Sequence, residues 1–144
     1  MPSRVLPLLL ILALTAPPVG AQPPDAGSLL VVANPDVPVA AISAGLLQRI
    51  YLGKATRWSG DLPIHPVMLH DAQVHAAFVT ELLDRSQESF SVYWKRMVFT
   101  GKGRPPESFE DAAQLAAYLR ETPGAIGYLA AGADTTGLKV LRIE

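Results

Sequence analysis

Three histidines, His65, His70 and His75, recur at five-residue intervals, and they are the first groups along the chain that could bind a metal or move a proton. The spacing suits a metal poorly. On a strand, residues five apart point to opposite faces, and on a helix they stand about 140° apart. No His-x-x-x-His pair is present. Ordinary surface or edge histidines are the better reading, and no metal site is expected. Nucleophiles fare no better. Gly-x-Ser-x-Gly is absent, and Ser59-Gly60 sits in a turn-rich stretch without the strand and helix that a nucleophile elbow needs. The carboxylates are scattered, with no evident acid–base pair. The chain has no cysteine, which excludes disulfides, thiolate catalysis, Cys-ligated zinc and iron–sulfur clusters. No cofactor is expected. A hydrolase whose triad is assembled from residues distant in sequence stays open as a third reading behind the two given below.

Two segments could hold an anion. Thr100-Gly101-Lys102-Gly103-Arg104 offers flexible backbone amides and two cations, Lys102 and Arg104. It departs from the P-loop pattern, because neither Ser nor Thr follows Lys102. His70-Asp71-Ala72-Gln73 stands where a strand runs into a helix, and there free amides and the helix dipole favour negative charge.

The elements that must position these groups fit one domain. The chain has 144 residues, 49% apolar and 17% charged, so a packed core is within reach and disorder is not expected. A formal charge of −1 argues against a nucleic-acid surface. Met1 to Ala21 reads as a signal peptide: Arg4, an apolar run of about a dozen residues, a Pro17-Pro18 break, and small residues at Val19-Gly20-Ala21. That run is shorter than the roughly 20 residues a membrane span needs. Export to a bacterial periplasm is therefore expected, with Gln22 to Gly27 as a flexible leader and residues 28–144 as a single domain.

Within that domain, Ser28–Ala33 carries Leu-Leu-Val-Val, a run suited to a strand buried on both faces. Asn34–Val39 is turn-rich. Ser43 caps a helix bearing Leu46, Leu47, Ile50 and Tyr51, stopped by Gly53. Ile64–Leu69 is a second strand, and Pro66 inside it favours an edge or a bulge. Asp71 caps a helix with Val74, Ala77, Phe78 and Leu82 inward. Ser86 starts another whose Phe90, Tyr93, Trp94, Met97 and Val98 match one buried face. Ser108 is expected to cap a fourth, with Phe109, Ala112, Ala113, Ala116 and Leu119 inward and Asp111 completing a capping box. Ala125–Ala130 and Leu138–Ile143 are the last strands. This order predicts an α/β domain with a mainly parallel sheet flanked by helices.

Several stretches resemble the phosphate ABC transporter substrate-binding proteins, whose fold is of the type 2 periplasmic-binding-protein-like class. Leu47-Gln48-Arg49-Ile50-Tyr51-Leu52-Gly53-Lys54 with Trp58 resembles that family's helix-to-loop signature. Thr122-Pro123-Gly124-Ala125-Ile126-Gly127-Tyr128 resembles its Pro-Gly-Ala-Ile-Gly-Tyr signature. Leu30–Asn34 and Gly101-Lys102-Gly103 are similar to the strand and glycine loop that accompany them. The resemblance spans roughly Ser28 to Gly132 and implies one lobe of a two-lobed receptor. It also implies a small oxyanion such as phosphate as ligand, an ABC transporter permease or other membrane partner, and no chemistry on the ligand.

The family's anion site carries an Arg, an Asp and a Ser-Gly-Thr run at a helix start. Here Asp71 matches the acid and His70 stands near the Arg, but Ala72, Gln73 and Val74 replace the hydroxyl-bearing run. An imidazole is a weak substitute for a guanidinium at neutral pH. The ligand-binding residues expected are His70, Asp71, Ala72 and Gln73, aided by Lys102 and Arg104, with weak oxyanion binding if any. A homodimer that rebuilds a two-lobed cleft is left open. The alternative is a periplasmic adaptor or sensor module that kept the fold and acts through protein contact.

Overall fold

The computed structural model describes residues 29–144. The expected signal peptide and leader lie outside the described residues. Elements follow in the order β1 (Leu29–Ala33), β2 (Ala41–Ile42), α1 (Ala44–Tyr51), β3 (His65–Leu69), α2 (Ala72–Ala77), α3 (Gln87–Phe99), β4 (Glu107–Phe109), α4 (Ala112–Glu121), β5 (Ala125–Ala130) and β6 (Lys139–Ile143). A π-helical segment, Phe78–Leu82, continues α2. The strands form one six-stranded mixed sheet in the order β2-β6-β1-β5-β3-β4. β1 lies antiparallel to both β5 and β6, whereas β5–β3, β3–β4 and β2–β6 are parallel.

Helix starts follow the caps written in the sequence. Ser43 Oγ accepts from Leu46 N at 3.1 Å and Ser86 Oγ from Ser89 N at 3.0 Å, each satisfying an amide that the first turn leaves free. The fourth helix differs from expectation. Asp111, not Ser108, is its cap, accepting from Gln114 N at 2.8 Å. Ser108 lies in β4 instead, and Phe109 packs its ring against Tyr118 at 5.0 Å. Starting three residues later turns Leu115, Ala116 and Leu119 inward and leaves Ala112 and Ala113 exposed. Pro66 also departs from the reading of an edge or bulge, since β3 lies between β5 and β4. His65 N donates to Gly124 on the β5 side and His70 N to Phe109 on the β4 side. By alternation the Pro66 nitrogen faces β4, whose pairing begins only at Val67, so its missing N–H breaks no rung.

The core lies on both faces of the sheet. α4 covers one, where a Cβ on Gly127 would stand 3.0 Å from Val67, 3.2 Å from Leu115 and 3.5 Å from Leu119, so a side chain here would press on the helix and glycine suits the close approach. The other face carries a buried aromatic group: Phe78 stacks on Tyr128 at 3.8 Å and Tyr51 meets Phe78 edge-on at 4.7 Å. Asn34, placed by sequence in a turn, is buried and clamps the end of α4, donating from Nδ2 to Leu119 O at 2.7 Å and Arg120 O at 3.1 Å.

The two sequence motifs are bound to one another. Trp58 Nε1 donates to Gly124 O at 2.9 Å. Tyr51 Oη lies 2.9 Å from Val67 O and 3.3 Å from Ile126 O, linking α1 to β3 and β5. Burial, with Tyr128 close by, drives the Tyr51 phenol well above its ordinary pKa, so it stays a donor. Gly53 closes α1 at φ 71°, where a side chain would be strained.

Candidate functional site

β3 ends at Leu69, and the chain turns through His70 and Asp71 into α2. His70 N donates to Phe109 O at 2.7 Å, which ties this turn to β4. The concavity it forms holds about 410 Å³ and is lined by Met68, Leu69, His70, Asp71, Ala72, His75 and Ser108. His70, Asp71 and Ala72 are exposed. Three of the expected ligand residues are therefore together.

The amides there are largely committed. Asp71 Oδ1 accepts from both Gln73 N and Val74 N at 3.1 Å, the N-cap arrangement that satisfies two amides the first turn of α2 leaves free. Ala72, at the first helical position, keeps an N–H with no intrahelical acceptor. Gln73 does not line the concavity. Lys102 and Arg104 also stand elsewhere: with Val98, Gly101 and Gly103 they line a separate hollow of about 400 Å³. Ser108, read from sequence as a helix cap, adds a hydroxyl to the cleft that was not anticipated.

His75, read from sequence as an ordinary surface or edge histidine, is half-buried and hydrogen-bonded instead. Its Nδ1 lies 2.6 Å from Tyr128 Oη, and that same hydroxyl accepts from Leu69 N at 3.1 Å. A phenol has one proton. Tyr128 is fully buried, and its proton is satisfied only by donation to His75 Nδ1. The imidazole is thus neutral, with its hydrogen on Nε2. Burial, and secondarily the charge of His70, lowers the His75 pKa in agreement. Tyr128 is raised by its own burial. No signal within the 70–75 segment announces this, because the partner is 53 residues away.

A second hollow of about 580 Å³ shares Met68 and His75 with the first and runs along α3. The stripe expected to be buried on that helix divides here. Phe90 and Trp94 are buried, Trp94 Nε1 donating to Tyr51 O at 3.1 Å, and Tyr93 Oη donates to Leu52 O at 2.6 Å. Val98 is 53% exposed, and Phe99 beside it 92%. In the last turn Met97 still packs against the core, while Val98 and Phe99 face away from it. Among the described residues no group of three or more His, Cys, Asp or Glu could hold a metal ion, and no helix is long and apolar enough to cross a membrane.

No family model matches the chain, and no curated protein matches its sequence. Solved structures do match. An ABC-type phosphate transport receptor from Vibrio cholerae superimposes with a TM-score of 0.59 at 19% identity, over 81% of this chain and 46% of that one. PstS from Borrelia burgdorferi gives 0.61 at 14% identity, over 81% of this chain and 47% of that one. The chain spans less than half the length of either. At these identities the likeness establishes a fold, that of one part of a phosphate transport receptor.

Proposed function

We propose that this chain is a periplasmic solute-binding domain built as one receptor lobe, taking phosphate or another small oxyanion weakly if at all, beside an ABC permease or other membrane partner. The similarity to phosphate transport receptors supports the class. The observation that carries the weak affinity is the Asp71 carboxylate on the amides of Gln73 and Val74. An arriving oxyanion finds those donors taken and a negative charge in their place. The donors left to it are His70, the Ala72 amide and Ser108, while Lys102 and Arg104 line a separate hollow. Charge pairs in so exposed a setting are weak and screened by salt.

A thermal-shift series with phosphate, sulfate and nitrate tests this reading. A ligand at 100 times its Kd stabilises by about 2.7 kcal/mol, so a site of millimolar Kd gives no appreciable shift at about 0.1 mM anion. A clear upward shift at that concentration contradicts the proposal.

A further inference from the structure

The hollow along α3 has the size of a small-molecule site, since such pockets hold about 300–1,000 Å³ and pair an apolar lining with a few placed polar groups. Met68, Phe90, Trp94, Val98, Phe99 and Pro105 supply the apolar wall. Its polar members are His75, Ser91 and Lys95, and its lining contains a cation but no acid. Lys95 forms no salt bridge among the described residues. His75 is oriented by Tyr128, which occupies Nδ1 and leaves Nε2–H as the ring's available donor.

From this we infer that the α3 groove is a second binding site, distinct from the α2 end, for a small carboxylate with an aromatic or alkyl body. The apolar body lies against Phe90, Val98 and Phe99, and the carboxylate accepts from His75 Nε2–H and pairs with the Lys95 ammonium. The charge balance of the two hollows separates their ligands. Asp71 lines the α2 end and repels a compact anion there, while the groove offers a net positive lining and enough apolar surface to hold an organic one. This inference stands whether or not phosphate binds at His70–Ala72.

The test is a titration of ¹⁵N-labelled protein with 3-phenylpropionate, 3-phenylpropionamide and inorganic phosphate, followed by amide and imidazole shifts. The carboxylate is expected to saturate with a Kd below about 1 mM, moving Phe90–Phe99 and the His75 ring, with the amide about two- to fivefold weaker. Lys95→Gln removes that preference. Val98→Asp, at an exposed position, weakens the carboxylate at least about tenfold, and Phe99→Ser about threefold, which covers the case of a misfolded first variant. No saturable shift at α3 by about 10 mM overturns the inference, as does a Kd unchanged in the variants. Shifts of these same residues on dilution without any probe overturn it too, because a second copy would then occupy the groove. Phosphate shifts, if seen, fall at His70–Ala72 and bear only on the oxyanion proposal.

Discussion

The interior beneath the two motifs and the rim around His70 and Phe99 are built to opposite standards. In the interior, each polar atom of the aromatic group is matched: Tyr51 to Val67 and Ile126, Trp58 to Gly124, Trp94 to Tyr51, and Tyr128 to Leu69 and His75. At the rim, imidazole, ammonium and phenyl groups face solvent, and the helix amides are held by a neighbouring carboxylate. The residues that resemble a phosphate receptor are therefore those that hold the fold together. Those proposed to meet a ligand lie at the rim, where Ala72, Gln73 and Val74 depart from the hydroxyl-bearing run. A shared motif therefore argues for the fold, and the ligand has to be argued from the site.

The largest contrast is available within α3. Trp94→Ala removes a buried indole and its hydrogen bond, and is expected to cost about 3–5 kcal/mol in denaturant melts. Phe99→Ala, five residues on, is expected within about 0.5 kcal/mol of wild type. A Trp94→Ala loss under about 1 kcal/mol would erase the distinction between the two halves of the helix.

Next in size is Tyr128→Phe. It strands the Leu69 amide and frees His75 Nδ1, for an expected loss of about 1–3 kcal/mol. The His75 pKa rises at the same time, since a hydrogen bond to the neutral imidazole is gone. Imidazole ¹⁵N shifts read the tautomer directly: wild type carries its proton on Nε2, and a proton on Nδ1 would contradict the network.

A smaller effect concerns pH. With its pKa lowered in the fold, His75 binds protons more readily unfolded than folded, so stability falls as pH drops through the ordinary histidine value near 6.5. Above that value the contribution is fully present. Urea melts between pH 7.5 and 5 check the direction, and a His75 titration midpoint at or above 6.5 would remove the cause.

What could be read in advance follows the range of the forces involved. β1, α1, α3, β5 and β6 declare themselves through local periodicity and caps such as Ser43 and Ser86. β2 and β4 do not, because two or three residues show no period and their pairing partners are distant in sequence. Ser108 and Asp111 are both good cap residues three positions apart, and only the pairing of β4 with β3 decides between them. Val98 continues a helical stripe and yet lies exposed, which periodicity cannot register. Of the site, the turn His70–Ala72 was legible as a strand end meeting a helix. The double acceptance by Asp71 and the orientation of His75 by Tyr128 depend on coordinates rather than spacing.

The central claim is the proposal that Asp71, already accepting from the Gln73 and Val74 amides, leaves phosphate only a weak site at the start of α2. Calorimetric titration of phosphate-free protein with phosphate, at low and high salt, tests it most directly. The account predicts a Kd no tighter than about 1 mM, about −4.1 kcal/mol, weakening further as salt rises. A micromolar Kd that survives high salt would contradict it, since that requires desolvated donors in place of the solvent-facing ones at His70–Ala72.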